Sequence, residues 1–436
     1  MRQISGALFA VLFFSSSVFA GGIVTNTNQS AEFIRMLNRN ASMEMDGVYY
    51  NPAGLLQQDE GFQLYLSNQV ILQQREVITH YPNFNFPSFS GETTVPFYPN
   101  VYLLYKTGEL AFSAGLTPIG GGGSAEYPEG LPSFEFPVAS LVGIPASVIN
   151  PALAPYGNIT GYSMDASFTG SSIYLGGQVN VGYAVSEEIA VSAGARFVSA
   201  RNTYEGSLEN VILSATNGSI TGVIPNIEVD AVQTGVGYTG ILGINFTTLD
   251  ILNIGIRYET LTKLEVENDT EKDDTGALLD GGMFPDGAKT GADIPATLAM
   301  GVGYQLHPQL RLQAGLTYFF NEDVDWDGRQ ALVDNGSEYG VGLEYRVTNT
   351  FLMSGGILRT LSGATNASQS DLKYDLDALS LGIGARYSLN AELALTAALS
   401  HTSYEDGTNG ASNEIFKEEY QKSSTVYTIG LQYAIR

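Results

Sequence analysis

The chain contains no cysteine, which excludes disulfides, thiolate metal sites, cysteine nucleophiles and a lipid-modified amino-terminal cysteine. Positive charge is scarce. Lys plus Arg number 20 against 45 Asp plus Glu, a formal net charge of −25. This argues against a nucleic-acid partner, because phosphate needs the opposite sign. Charged residues of all kinds make up 15%, well below the roughly 25% of soluble domains. Beyond residue 20 no uninterrupted apolar run approaches the roughly 20 residues of a membrane-spanning helix. What the chain has instead is 50 Gly, 25 Tyr and 21 Phe in 436 residues, a mixture that suits neither a disordered chain nor a helix bundle. At the start, Arg2 precedes an apolar stretch from Ala7 to Phe14, then three serines and Val18-Phe19-Ala20. This predicts a removed secretory signal over residues 1–20. An exported chain without membrane helices can still live in a membrane if its strands close into a barrel.

From Phe62 onward the pattern has period two. Ile173, Leu175, Gly177, Val179, Val181 and Tyr183 alternate with Tyr174, Gly176, Gln178, Asn180 and Gly182, as in a sheet with unlike faces. Fourteen strands are expected, near 62–77, 98–106, 109–117, 172–185, 188–204, 231–246, 250–266, 293–306, 309–321, 338–347, 350–361, 375–388, 391–404 and 423–435. Their connections alternate between short (Thr107-Gly108, Ser186-Glu187, His307-Pro308, Thr348-Asn349) and long, such as 118–171, 205–230 and 267–292. An even number of antiparallel strands with tight turns at one rim and long loops at the other is the outer-membrane arrangement. Tyr183, Tyr304, Tyr345 and Tyr387 each precede a short turn, with Tyr105 and Phe246 near two others. They predict an aromatic girdle at one depth. The last strand points Tyr427, Ile429, Leu431, Tyr433 and Ile435 outward and ends in Arg436. It resembles the carboxyl-terminal signal read by the barrel assembly machinery, except for that final Arg.

Residues 21–60 do not alternate. Ser30 is placed to cap a helix through about Asn38, and Met43 to Leu55 carries the motif Asn51-Pro52-Ala53-Gly54. A compact segment of this size fits inside a barrel lumen. With this motif ahead of fourteen strands, and Asp293-Ile294-Pro295-Ala296 leading into the eighth, the chain resembles the FadL-type outer-membrane transporters of long-chain fatty acids and other hydrophobic compounds. The resemblance implies an all-β fold: a 14-stranded antiparallel transmembrane β-barrel with a small N-terminal hatch in its lumen. It also implies hydrophobic ligand captured by extracellular loops and passed laterally through the wall at a kinked third strand. On this reading residues 1–20 are the signal, 21–60 the hatch and 61–436 the barrel. The partners expected are a hydrophobic small molecule, outer-membrane lipid and lipopolysaccharide, and the assembly machinery. No nucleic acid, cofactor or metal is expected, and the protein is expected to be a monomer that is not an enzyme.

The residues offer sites for each step. Gly115, Pro118 and the run from Gly120 to Gly123 either kink strand three or end it. Loop 118–171 carries Phe134, Phe136 and Leu141, and loop 205–230 carries Val211 and Ile212. These apolar residues form either a capture groove or a cap packed on itself. A carboxylate head group would need an inward Arg or Lys; parity turns Arg196 and Arg257 inward, where they either meet a ligand or pair with an acid such as Glu259 or Glu344 or with the hatch. Of three histidines only His401, near Ser400, Ser403 and Asp406, is placed to act as a base. The acidic loop 267–292 reads as solvated, with divalent-cation binding as the alternative. A long-chain fatty acid is the expected cargo, with aromatic hydrocarbons as the alternative; a water-filled pore or an adhesin is the rival class.

Overall fold

The computed structural model of the protein describes residues 30–248, 251–277 and 282–435. The signal segment and residues 21–29 lie outside that range. Fourteen long strands run antiparallel around a ring. They are β1 (Gly61–Thr79), β2 (Ser88–Thr107), β3 (Leu110–Tyr127), β4 (Ile159–Ala184), β5 (Ile189–Ala215), β6 (Ile227–Thr248) and β7 (Leu252–Glu259). They continue as β8 (Thr297–His307), β9 (Leu310–Phe319), β10 (Gly336–Arg346), β11 (Phe351–Leu361), β12 (Ala378–Ser388), β13 (Leu393–Tyr404) and β14 (Glu418–Ile435). β1 pairs with β14 from Phe62↔Ile435 to Thr79↔Glu418, which closes the barrel and removes its edges.

The strands alternate as the sequence requires. On β4, Ile173, Val179, Val181 and Tyr183 face outward at 41–61% exposure, while Tyr174, Gln178 and Asn180 are buried in the lumen. Tyr105, Tyr183, Tyr304, Tyr345 and Tyr387, all beside short turns, are exposed on the outer face. They form a ring at the short-turn rim, the position of an aromatic girdle in membrane barrels.

The strands on the long-loop side reach further than the hydrophobic pattern suggested. The segment read as loop 118–171 is strand at both ends, since β3 runs to Tyr127 and β4 starts at Ile159. Segment 205–230 likewise continues β5 to Ala215 and begins β6 at Ile227. Between Ser163 and Ser172 the two-residue rhythm fades into Ser, Thr and Gly while the backbone ladder to β5 persists.

Residues 30–60 fill the lower lumen. Ser30 Oγ accepts from Phe33 N at 2.9 Å and starts a helix over Ala31–Ile34. That helix stops well before Asn38, because Leu37 takes a left-handed backbone (φ 56°) and turns the chain along the wall. The wall is built to receive it. Gly255, Gly301, Gly315, Gly340, Gly356 and Gly382 lie on the six successive strands β7 to β12, and a Cβ on any of them would lie within 2.7 Å of an atom of residues 34–41. Ion pairs to the wall reinforce the seat, Arg35 to Glu344 at 2.6 Å and Arg386 to Glu44 at 3.0 Å, and Arg39 to Asp46 at 2.7 Å braces the segment internally.

Candidate functional site

Above this segment lies a cavity of about 680 Å³, of a size that holds small ligands. Its floor is apolar, formed by Phe33, Ile34 and Leu37, with Ile71, Leu358 and Val426 from the strands. A tier of cations lies among its upper walls: Arg75 on β1, Lys422 on β14, Arg329 in the β9–β10 connection and Lys373 in the β11–β12 connection. Arg75 and Lys422 face each other across the strand pair that closes the barrel. Among the described residues none of these four forms an ion pair. Arg75 sits 5.5 Å over the Tyr374 ring and donates to Gln73 Oε1 at 2.7 Å, Lys422 sits 4.6 Å over Tyr404, and Arg329 donates to Ser368 O at 3.3 Å. Burial lowers the Lys373 ammonium, with Asp375 partly restoring it. Glu338, Asp371 and Asp375 also line the space. Asp371 is already engaged, accepting from Ser133 N at 2.7 Å and Leu372 N at 2.9 Å.

The cavity reaches the wall at Thr93, Gly121 and Gly123, where the barrel is least regular. β2 and β3 pair from Thr107↔Leu110 to Val101↔Leu116, and the next pair is Glu92↔Glu126. Between them Pro96 and Pro99 offer no ladder donors. β3 shifts register against β4 at Pro118/Gly120 and again at Gly121/Gly123, and Gly121 and Gly123 have φ of 82° and 85°, a conformation suited to glycine. Side chains span the slit instead of backbone. Tyr98 donates to Pro118 O at 3.1 Å, Asn100 donates to Thr117 Oγ1, and Val95 packs over Gly123.

A crystal structure of a Pseudomonas aeruginosa FadL homologue superposes with a TM-score of 0.67 over 95% of this chain and 100% of that one, at 14% identity. The barrel has the FadL-type fold. The Pseudomonas putida toluene transporter TodX matches at TM-score 0.60 and 14% identity over 90% of this chain and 94% of its own. The Ralstonia pickettii toluene transporter TbuX matches at 0.55 and 18% over the same shares. No family model and no curated protein matches the sequence. In this FadL-type barrel the Asn51-Pro52-Ala53-Gly54 motif is a local fastening. Asn51 Nδ2 donates to Ser42 O at 2.9 Å and to Asn245 Oδ1 on β6 at 2.7 Å, Pro52 opens a short 3-10 helix (Pro52–Gln57), and Ala53 is fully buried. A Cβ on Gly54 would collide with both Asn51 and Ser42 at 2.4 Å.

None of the seven ligand-binding candidates lines the cavity. Arg196 points inward and is held by Glu259 at 2.7 Å and by Gln178 at 2.6 and 2.9 Å. Arg257 pairs with Glu259 at 3.2 Å and donates to Tyr49 O, and both guanidinium groups lie over the Tyr49 ring at 4.8 and 5.2 Å. Leu141 and Val211 are buried in an apolar cluster with Val138 of the helix Pro132–Ala139 and Ile159, Leu208 and Leu213 of the prolonged strands, while Ile212 is exposed. Phe134 packs on Phe168, and Phe136 joins a ring cluster with Tyr81, Phe84 and Phe416. Gly115 lies within the regular part of β3 and Pro118 at its first register shift. His401 is exposed, its Nδ1 3.0 Å from Thr425 Oγ1. Among the described residues no cluster of three or more His, Asp or Glu side chains is arranged for a metal. Asp293 serves structure: its Oδ1 accepts from Leu264 N and its carbonyl from Trp326 Nε1, each at 2.8 Å. The sequence pattern does not bring the cationic tier together, because it joins β1 to β14, strands at opposite ends of the chain, and two loops without period. The parity that turned Arg196 inward also turns Arg75 and Lys422 inward, and that signal was available.

Proposed function

We propose that this protein is an outer-membrane transporter that takes up hydrophobic molecules bearing an anionic head group, long-chain fatty acids among them, without an energy source. The observation that carries this reading is the tier of Arg75, Lys422, Lys373 and Arg329 above a greasy floor. A carboxylate bound there would gain charge-assisted hydrogen bonds, and its tail would cover the apolar side chains of the hatch. A neutral hydrocarbon would take water from those cations and return no counter-charge, which is costly. Aromatic hydrocarbon uptake is the second reading, supported by the toluene transporters of like fold and by the Tyr127, Tyr374 and Tyr404 rings around the cavity.

On this reading residues 1–20 direct export and 21–60 are the hatch that keeps the lumen from being an open pore. The assembly machinery inserts the mature chain as a monomer among lipid and lipopolysaccharide. The aromatic cluster around Phe136 is where ligand first meets the protein, and Arg196 and Arg257 hold the hatch in place. Cargo leaves sideways through the β2–β3 slit, whose weak point is the register shift at Pro118, with Gly115 just below it. The alternation of lipid-facing and lumen-facing side chains and the likeness to outer-membrane barrels support the location.

Calorimetry on the purified barrel should show oleate binding that weakens about tenfold or more in Arg75→Ala combined with Lys422→Ala, since each charged hydrogen bond contributes roughly 1.5–3 kcal/mol. Toluene binding should not change. Tight toluene binding with no measurable affinity for oleate would reverse the order of the two readings. Large steady conductance in a planar bilayer would favour a water-filled pore.

A further inference from the structure

The connection between β11 and β12 crosses the barrel mouth. Around the ring its roots are separated from the β3–β4 connection by six strands one way and eight the other, so the segment reaches nearly the full diameter. Its tip is a preformed hairpin. Ser370 and Lys373 exchange backbone bonds of 2.9 and 3.0 Å, and the Gln369 amide clamps Asp375 through its carbonyl at 2.7 Å and its N–H at 2.8 Å. At the root, Gly363 has φ 79° and Ser362 N donates to Asp377 Oδ1 at 2.8 Å. Midway, Tyr374 stacks on Tyr420 of β14 at 4.8 Å.

The far end is held by little. Asp371 Oδ2 accepts from Ser133 N at 2.7 Å in the first turn of the helix Pro132–Ala139, and Leu372 packs against Tyr127, Leu131, Phe134 and Phe168. The residue after this latch is Lys373, one of the four cavity cations, and residues 367 and 369–376 line the cavity from above.

We propose that residues 363–376 are a strap that gates the cavity from the loop rim, with Asp371 and Leu372 as its latch and Lys373 as the side chain through which an anionic ligand holds it shut. Ligand enters when the tip lifts from the helix. A head group caught between Arg75 and Lys422 on the wall and Lys373 on the strap then ties the tip back down. The ligand-dependent half of this inference rests on the anionic-amphiphile reading above; the latch does not.

The absence of native cysteine makes the test direct. Ser133→Cys places a single thiol beneath the tip and preserves both the backbone donor and the Leu372 contact. Ser412→Cys in an exposed loop is the reference. Detergent-purified full-length protein is treated with a polar maleimide. The expected result is labelling at Ser133→Cys at least about tenfold slower than at Ser412→Cys, and accelerated about tenfold when Asp371→Ala removes the hydrogen bond to a charged acceptor. Oleate should slow labelling further and oleyl alcohol should not, and Lys373→Ala should abolish the oleate effect. Labelling at Ser133→Cys as fast as at Ser412→Cys overturns the latch. If calorimetry shows oleate bound while labelling is unchanged, the ligand-dependent closure is overturned. If oleate does not bind at all, the anionic-amphiphile reading fails, while slow labelling relieved by Asp371→Ala still supports the latch.

Discussion

Two buried guanidinium groups share one carboxylate beneath the cavity, and the balance among the three decides what they are for. Arg196 and Arg257 are 3% and 6% exposed and Glu259 is 6% exposed, so water contributes little to stabilising any of them. Glu259→Gln would leave two cations beside Tyr49 with no counter-charge. Removing one partner of a buried ionic group costs about 3–5 kcal/mol, so the variant should unfold at lower temperature, visible as a gel-shift midpoint in detergent. Oleate affinity measured below that midpoint should stay within a factor of about two, well under the tenfold that 1.4 kcal/mol represents. A tenfold loss of affinity with unchanged unfolding would instead make these arginines head-group ligands. Side-chain parity along one strand was enough to place Arg196 and Arg257 in the lumen. It was not enough to separate a paired cation from an available one, because pairing depends on which residue the neighbouring strands bring level. Glu259 reaches Arg196 across β6, at a height set by two ladders that no single-strand pattern encodes.

The slit between β2 and β3 is a property of elements. Pro96 and Pro99 on one strand and two positive-φ glycines on the other deny the wall its hydrogen bonds over the same height. A reading that begins strand two at residue 98 loses one side of this opening. Prolines on an unpaired stretch look like loop, and only Pro118 and the glycine run on the other side were legible as a weakness. A disulfide offers a reversible closure. A Cβ at Gly123 would lie 3.5 Å from Val95 Cβ, within the roughly 3.5–4.5 Å that a disulfide spans, although a side chain at this φ costs on the order of 1–3 kcal/mol. Val95→Cys with Gly123→Cys, once oxidised, should still bind oleate in detergent but should stop transferring it to the bilayer when the protein is reconstituted. Adding reductant should restore transfer. Transfer at the wild-type rate with the disulfide shown intact would place the exit elsewhere.

For the molecule as a whole, the barrel and the segment it encloses fit each other through absent side chains. Six consecutive strands give up a Cβ where the backbone of residues 34–41 passes, and this close approach seats the ion pairs of Arg35, Arg39 and Arg386. The individual glycines were visible in the sequence, but their alignment at one height across six strands exists only once the registers are set. Gly356 is the tightest point, since a Cβ there would lie 1.8 Å from Met36 O. That neighbour is backbone, so no rotamer change relieves the contact. Gly356→Ala should leave the barrel folded, because Ala is accepted in a strand, and should push the enclosed segment off its seat at an overpacking cost of about 1–3 kcal/mol. In a planar bilayer the intact protein should show little steady conductance. Deletion of residues 30–60 should give stable open channels, and Gly356→Ala should give intermittent openings approaching the same amplitude. If Gly356→Ala stays as quiet as the intact protein while the deletion conducts, the segment is held by its ion pairs rather than by the glycine wall. If the deletion fails to conduct, residues 30–60 are not what closes the lumen.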